Sequence, residues 1–244
     1  MLLMAIGVII VAAIAGVLIV AARSDSPGQS STKTLNSRTE HRIATLLSGI
    51  PQRGNALGQP TAPVTLQIFG DLECSTVKLY VLAYLPAIIQ EFVRSNVVRI
   101  EYRSFKTDTH AAKAFLNQQT AALAAGSQGE MWNFIETFYH EQGREYSGYA
   151  TESYIDGIAS QVPGLDLGQW DTDREKVALP RLVIADDHTA RVLGFHDTPA
   201  FRIGRTGGQM KTLTGRYIIR FRKERNPLSL MDKQDLKEAI EQLP

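Results

Sequence analysis

Apolar positions open this chain as one unbroken run. Residues 1–22 hold no charged side chain and are built mainly of Ile, Val, Leu, Ala, Met and Gly. A helix needs about 20 apolar residues to cross a bilayer core, so the run predicts a transmembrane anchor. It lacks the basic start and shorter apolar middle of a signal peptide, although Val20-Ala21-Ala22 offers small residues at which cleavage can occur. Residues 23–54 form a tether and a short helix. Ser, Gly, Thr and Lys dominate up to residue 36, and then Ile43, Leu46 and Leu47 share one helical face behind Asn36 or Ser37 as N-cap. Residues 54–63 read as a turn-rich lead-in.

The pattern then changes period. Residues 64–69 are an apolar, β-rich run closed by Gly70 and Asp71, which predicts a buried strand. Leu79, Leu82, Leu85, Ile89 and Phe92 follow at helical spacing to about Ser95. Pro86 falls inside that helix and predicts a kink. Residues 97–102 read as a second strand, so the unit is βαβ with a right-handed crossover expected. Helical spacing covers 111–125, 131–141, 151–161 and 173–193, the last with a break near Pro180. Strand character returns at 200–203 and 210–213, and an amphipathic helix closes the chain at 232–243. The order is βαβ, a helical block at about 108–194, then ββα: an α/β domain over residues 55–244.

Charge and composition narrow the function. Twenty-six basic residues nearly balance 25 acidic ones. No broad basic field exists, so a nucleic-acid partner is not expected. Arg23, Lys33 and Arg38 follow the apolar run; taken alone, the positive-inside bias places the domain in the cytoplasm, but long domains translocate largely regardless of charge. The single cysteine, Cys74, permits no internal disulfide. His41, His110, His140, His188 and His196 are scattered without metal-ligand spacing on a helix face, so no metal and no cofactor is expected. Met131, Trp132, Phe134, Phe138 and Tyr139 read as core, with Trp132 and Phe138 placed as candidates for a groove beside Cys74. The basic run with Arg220, Arg222, Lys223 and Arg225 reads as a solvated strand or loop, with contact to anionic lipid as the alternative.

The stretch 63–105, PVTLQIFGDLECSTVKLYVLAYLPAIIQEFVRSNVVRIEYRSF, resembles the opening of the DsbA-like thioredoxin domains, in which a strand, an acidic turn and a Cys-x-x-Cys at a helix start follow in order. HDTPAFRIG resembles that family's Thr-Pro-x-Phe segment with a cis-proline. The resemblance covers about residues 55–244. It implies a thioredoxin fold with a helical insertion, and an extracytoplasmic domain held at the cell membrane by a single pass. It also implies client proteins with cysteines or disulfides as partners; a low-molecular-weight thiol or a partner protein for release is called for only by the missing second cysteine. Residue by residue, Cys74 falls on the first cysteine, Ser75 and Thr76 on the two intervening positions, and Thr198 and Pro199 on the substrate-holding segment. Val77 stands where the second, resolving cysteine belongs.

That departure changes the chemistry. A cysteine at a helix N-terminus faces unpaired N–H groups and the positive end of the helix dipole, both of which favour thiolate. The hydroxyls of Ser75 and Thr76 are in reach to donate to the sulfur, and His196 is placed to lower its pKa if it lies close. Asp71 and Glu73 oppose that shift if they face the sulfur. With Val77 in place, no neighbouring thiol resolves a mixed disulfide, so dithiol oxidation by the isolated chain is excluded. A one-cysteine peroxidase is disfavoured because Asp71 stands where that chemistry needs a hydroxyl. Two readings remain: monothiol exchange through Cys74, as a reductase or isomerase, and a redox-inactive binding or chaperone-like module.

Overall fold

The computed structural model describes residues 35–213, 219–220 and 229–244. The anchor expected at 1–22, the tether up to residue 34 and most of the basic run lie outside the described residues. Asn36 starts the first helix, α1 (Ser37–Leu47), by accepting from the Thr39 N–H through its side chain. Ile43 and Leu47 are buried along α1, and Leu46 is half-buried. The lead-in holds two strands that periodicity does not reveal, because each is two residues long. β1 (Gln52–Arg53) and β2 (Ala56–Leu57) form a hairpin, and β2 pairs antiparallel with a strand of the main sheet. Gly54 turns that hairpin at φ +58, where a side chain is disfavoured.

The predicted βαβ unit is present. β3 (Val64–Gly70) is buried along its whole length, as a central strand covered on both faces must be. It pairs parallel with β4 (Val98–Ser104) and antiparallel with β5 (Ala200–Arg205). β4 alternates, with Val98, Ile100 and Tyr102 buried and Arg99, Glu101 and Arg103 half-buried on the other face. β5 pairs with β6 (Lys211–Leu213), giving the six-stranded order β1-β2-β4-β3-β5-β6. Gly204 lets the β5–β6 turn close, because a Cβ there would lie 2.3 Å from the Gln209 carbonyl oxygen.

The crossover helix, α2 (Ser75–Val93), is α-helical at Ser75–Leu79 and Leu85–Ile88 and π-helical at Tyr80–Tyr84 and Ile89–Val93. Each π stretch takes one more residue per turn than an α-helix, so the buried face drifts away from the simple spacing. Val77, Tyr80, Val81, Leu85, Ile88, Ile89, Phe92 and Val93 are buried. Leu82 is half-buried and Leu79 is 38% exposed, which corrects the expected core assignment of Leu79. α2 is long and apolar enough to cross a membrane, yet its apolar face is spent on this core.

Five helices intervene before β5. They are α3 (Ala112–Ser127), α4 (Met131–Glu141), α5 (Glu152–Ala159), α6 (Leu167–Arg174) and α7 (Ala178–Val192). The expected helix at 173–193 is split before Ala178, and Pro180 sits in the first turn of α7, where its missing N–H forfeits no helical bond. Met131, Trp132, Phe134, Phe138 and Tyr139 are fully buried, each large side chain contributing roughly 1.5–3 kcal/mol by burial. Strands β7 (Ile219–Arg220) and β8 (Ser229–Leu230) form a separate ladder. The last helix, α8 (Lys233–Glu241), starts at a capping box between Asp232 and Asp235.

Candidate functional site

Asp71 ends the β3 turn and organises what surrounds the cysteine. Its buried carboxylate accepts from the backbone N–H of Thr107 at 2.9 Å, Asp108 at 3.0 Å and Thr109 at 2.9 Å, from the Glu73 N–H at 3.1 Å, and from the Thr109 hydroxyl. The loop after β3 is thereby fastened to the loop after β4. Cys74 follows as the N-cap of α2. Its side chain faces the second motif: the thiol donates to the Thr198 carbonyl oxygen at 3.7 Å. The Thr198–Pro199 peptide is cis, and the Thr198 and Thr107 hydroxyls share a hydrogen bond of 2.7 Å. Two segments 124 residues apart in sequence thus meet at one sulfur.

The electrostatics run against the thiolate expected from the helix start. Cys74 is only 3% exposed. Burial pushes its thiol up to about 12; a hydrogen bond from Thr198 draws it back, the Asp108 carboxylate pushes it further, and the Val77 N–H draws it back slightly. The first N–H of α2, on Ser75, is taken by the Glu145 carboxylate, so this donor is not free for the sulfur, and of the helix start the Val77 N–H alone draws the thiol down. The sulfur bonds to the Thr198 carbonyl rather than being stabilised by the hydroxyls of Ser75 or Thr76. The acidic neighbours also differ from expectation. Asp71 is committed to the Thr107–Thr109 amides, and Glu73 accepts from Gln118 at 3.2 Å. Burial first, then the Asp71 charge, pushes Glu73 up to about 7.

An open cavity of about 660 Å³ lies beside the sulfur. Cys74, Ser75 and Thr76 line one side, and His196, Thr198 and Pro199 line another. Trp132 and Phe138 are not among the lining residues; they lie in the core, correcting their expected place in the groove. Val77 is fully buried one turn into α2, and it fills its place as an aliphatic side chain.

Sequence reasoning missed Asp108, Glu145 and Thr107. Asp108 and Glu145 lie 34 and 71 positions beyond the cysteine, in loops whose approach depends on the insertion's packing, so no local spacing announces them. The Cys74 sulfur and one oxygen each of Asp108 and Glu145 lie within 4.8 Å of one another. Among the described residues this is the one set of three side chains with metal-donor chemistry. Both carboxylates are already engaged, Asp108 by the Tyr146 hydroxyl at 2.7 Å and Glu145 by the Ser75 N–H.

Comparison with known proteins places this arrangement. A family model described as thioredoxin matches residues 52–211. The chain is similar to the probable disulfide bond formation protein D of Bacillus anthracis, 23% identical over 151 residues that cover 59% of this chain and 67% of that protein. Among solved structures, oxidised BdbD from Bacillus subtilis superposes with a TM-score of 0.60 at 19% identity, covering 80% of this chain and 96% of that one. Alpha-DsbA1 from Wolbachia pipientis gives 0.59 at 16% identity, with coverage of 80% and 90%.

Proposed function

Since the chain belongs to the thioredoxin family, in its DsbA-like branch, we propose that it is an extracytoplasmic thiol–disulfide oxidoreductase-like protein whose groove holds an extended, cysteine-containing polypeptide while Cys74 rests as a protonated thiol. The observation that carries this reading is the setting of the sulfur: it donates to the Thr198 carbonyl, close to Asp108 and away from solvent. A thiolate there would face a carbonyl oxygen and a carboxylate, and the opening of α2 is already capped by Glu145. The cavity supports capture: Thr198 and Pro199 border it beside Cys74, and an extended backbone laid along that segment gains strand-like hydrogen bonds. Residues 1–22 serve as a single-pass anchor, with the domain facing outward, where disulfide bonds form and persist.

A second reading is monothiol exchange, favoured by the fact that Cys74, Ser75 and Thr76 line the open cavity. Deprotonated Cys74 attacks one sulfur of a client disulfide. The S–S bond breaks, the other client sulfur leaves as thiolate, and a mixed disulfide with Cys74 remains. A small external thiolate then attacks that mixed disulfide, taking up the client sulfur and returning Cys74.

One experiment separates the two. A fluorescent, unstructured peptide whose one cysteine is held as a mixed disulfide with glutathione, so that attack by Cys74 on the peptide sulfur releases glutathione thiolate, is titrated into the intact protein and its Cys74→Ser variant, with anisotropy as readout. Capture expects equal affinity for both and no disulfide-linked product after non-reducing electrophoresis. Binding that disappears in Cys74→Ser, together with a mixed disulfide in the wild type, overturns capture in favour of exchange.

A further inference from the structure

α1, α2 and α4 border a second, open cavity that the groove chemistry does not use. It has a volume of about 310 Å³ and shares no lining residue with the cavity beside Cys74. Sites for small molecules begin at about this size. Its apolar wall comes from Ile43 and Leu46 on α1 and from Leu82 and Pro86 on α2. Its polar end holds Glu136 and His140, both on α4.

Glu136 is the unusual element. It is 2% exposed, and among the described residues its Oε1 has no hydrogen-bond partner. The other carboxyl oxygen lies 4.0 Å from His140 Nε2, beyond a hydrogen bond. A buried carboxyl with an open acceptor is costly unless something supplies the missing donor, and here the open group borders a cavity rather than packed side chains. The other titratable groups around this end are His41 and Arg42 on α1 and Lys78 on α2. His41 and Arg42 are both exposed and therefore screened by solvent.

We propose that this cavity binds a small amphipathic amine, with an apolar body against Ile43, Leu46, Leu82 and Pro86 and an ammonium head donating to Glu136. The head supplies the donor that Oε1 lacks, and the charge pair forms in a poorly solvated place, where charge-assisted hydrogen bonds are strongest. Burial raises Glu136 to about 8, with Arg42 pulling it down, so a cationic head binds best once the carboxyl has ionised. The groove reading does not depend on this site, nor the site on the groove.

The test titrates n-hexylammonium chloride and n-hexanol into the full chain by calorimetry at pH 7 and pH 9. One hexylammonium per chain is expected, binding at least tenfold tighter than hexanol at pH 9. Its affinity should rise about tenfold between the two pH values, as the ionised fraction of Glu136 climbs from about one tenth to about nine tenths. Glu136→Gln should lose the preference for the amine and the pH dependence. Equal affinity for hexanol and hexylammonium, no saturable binding, or an amine preference that survives Glu136→Gln overturns the proposal. If Glu136→Gln does not fold, the wild-type comparison and its pH dependence decide alone.

Discussion

Cys74 should exchange with a small disulfide at pH 7 about a hundredfold more slowly than a free cysteine. With its thiol pushed up to about 12, the thiolate fraction at pH 7 is on the order of 10⁻⁵, against about 3 × 10⁻² for a free thiol titrating near 8.5. The population ratio is therefore about 3,000. A more basic thiolate is also a better nucleophile. With a Brønsted slope of about 0.4–0.5, the gap of about 3.5 in pKa returns about 40-fold, leaving roughly two orders of magnitude. Restricted access to a sulfur in a residue 3% exposed only adds to the delay. The informative perturbation is Asp108→Asn, which removes the carboxylate that opposes ionisation. Each tenfold gain in thiolate is worth about 3.5-fold in rate by the same slope, so a rise of about threefold or more is expected. The assay follows thiopyridone release from 4,4′-dithiodipyridine under pseudo-first-order conditions, with Cys74→Ser as the blank. A wild-type rate at or above that of free cysteine would refute the reasoning, as would an Asp108→Asn variant slower than wild type.

Three further outcomes follow from the same geometry. Val77→Cys should permit a disulfide between Cys74 and the introduced thiol and give the chain dithiol oxidase activity toward a reduced peptide, at a stability cost of about 1 kcal/mol for the lost packing; absence of a two-proton mass loss after oxidation would count against the motif alignment. Glu73 is held at about 7 in the folded chain against about 4.3 unfolded, so the native state keeps a proton that the unfolded state has released. Its stabilising contribution is fully present below about pH 4.3 and lost as pH rises through about 7, on the order of 3 kcal/mol. Glu136, raised to about 8, adds a second decline in the same direction, so Glu73→Gln should remove part of the downward slope measured by urea melts from pH 5 to pH 8; an unchanged slope would contradict the assignment. Asp71→Asn exchanges an acceptor-only carboxylate for an amide whose NH₂ must face N–H donors, so urea denaturation should record a loss of about 2–4 kcal/mol, and a loss below about 0.5 kcal/mol would show that the clasp is not rigid.

Much of the fold was legible because it rests on long periodic segments. The strand at 64–69, the helix at 131–141 and the strand at 200–203 announce themselves by period and by flanking turn residues, and they appear at or close to those bounds. Elements below the length at which period has meaning stayed hidden, notably β1 and β2. The phase of α2 was misread because π stretches break the 3.6 repeat on which its core face was assigned. The meeting of Cys74 with Thr198 was implied by the resemblance of two motifs to the DsbA-like family. The state of that sulfur was not, because it is set by burial and by Asp108, which tertiary packing brings in from a separate loop. A helix start is a local property; desolvation belongs to the whole fold.

Among the described residues, the main sheet finishes in stubs at both margins. One flank is the two-residue β1 and the other the three-residue β6. An incoming chain looking for a ladder to prolong finds only a few free amides on either side, too few to zip onto. On the proposed capture reading, recruitment of unfolded polypeptide would be steered inward to the segment at Thr198, and copies of the domain would have little means of stitching themselves together through these described edges.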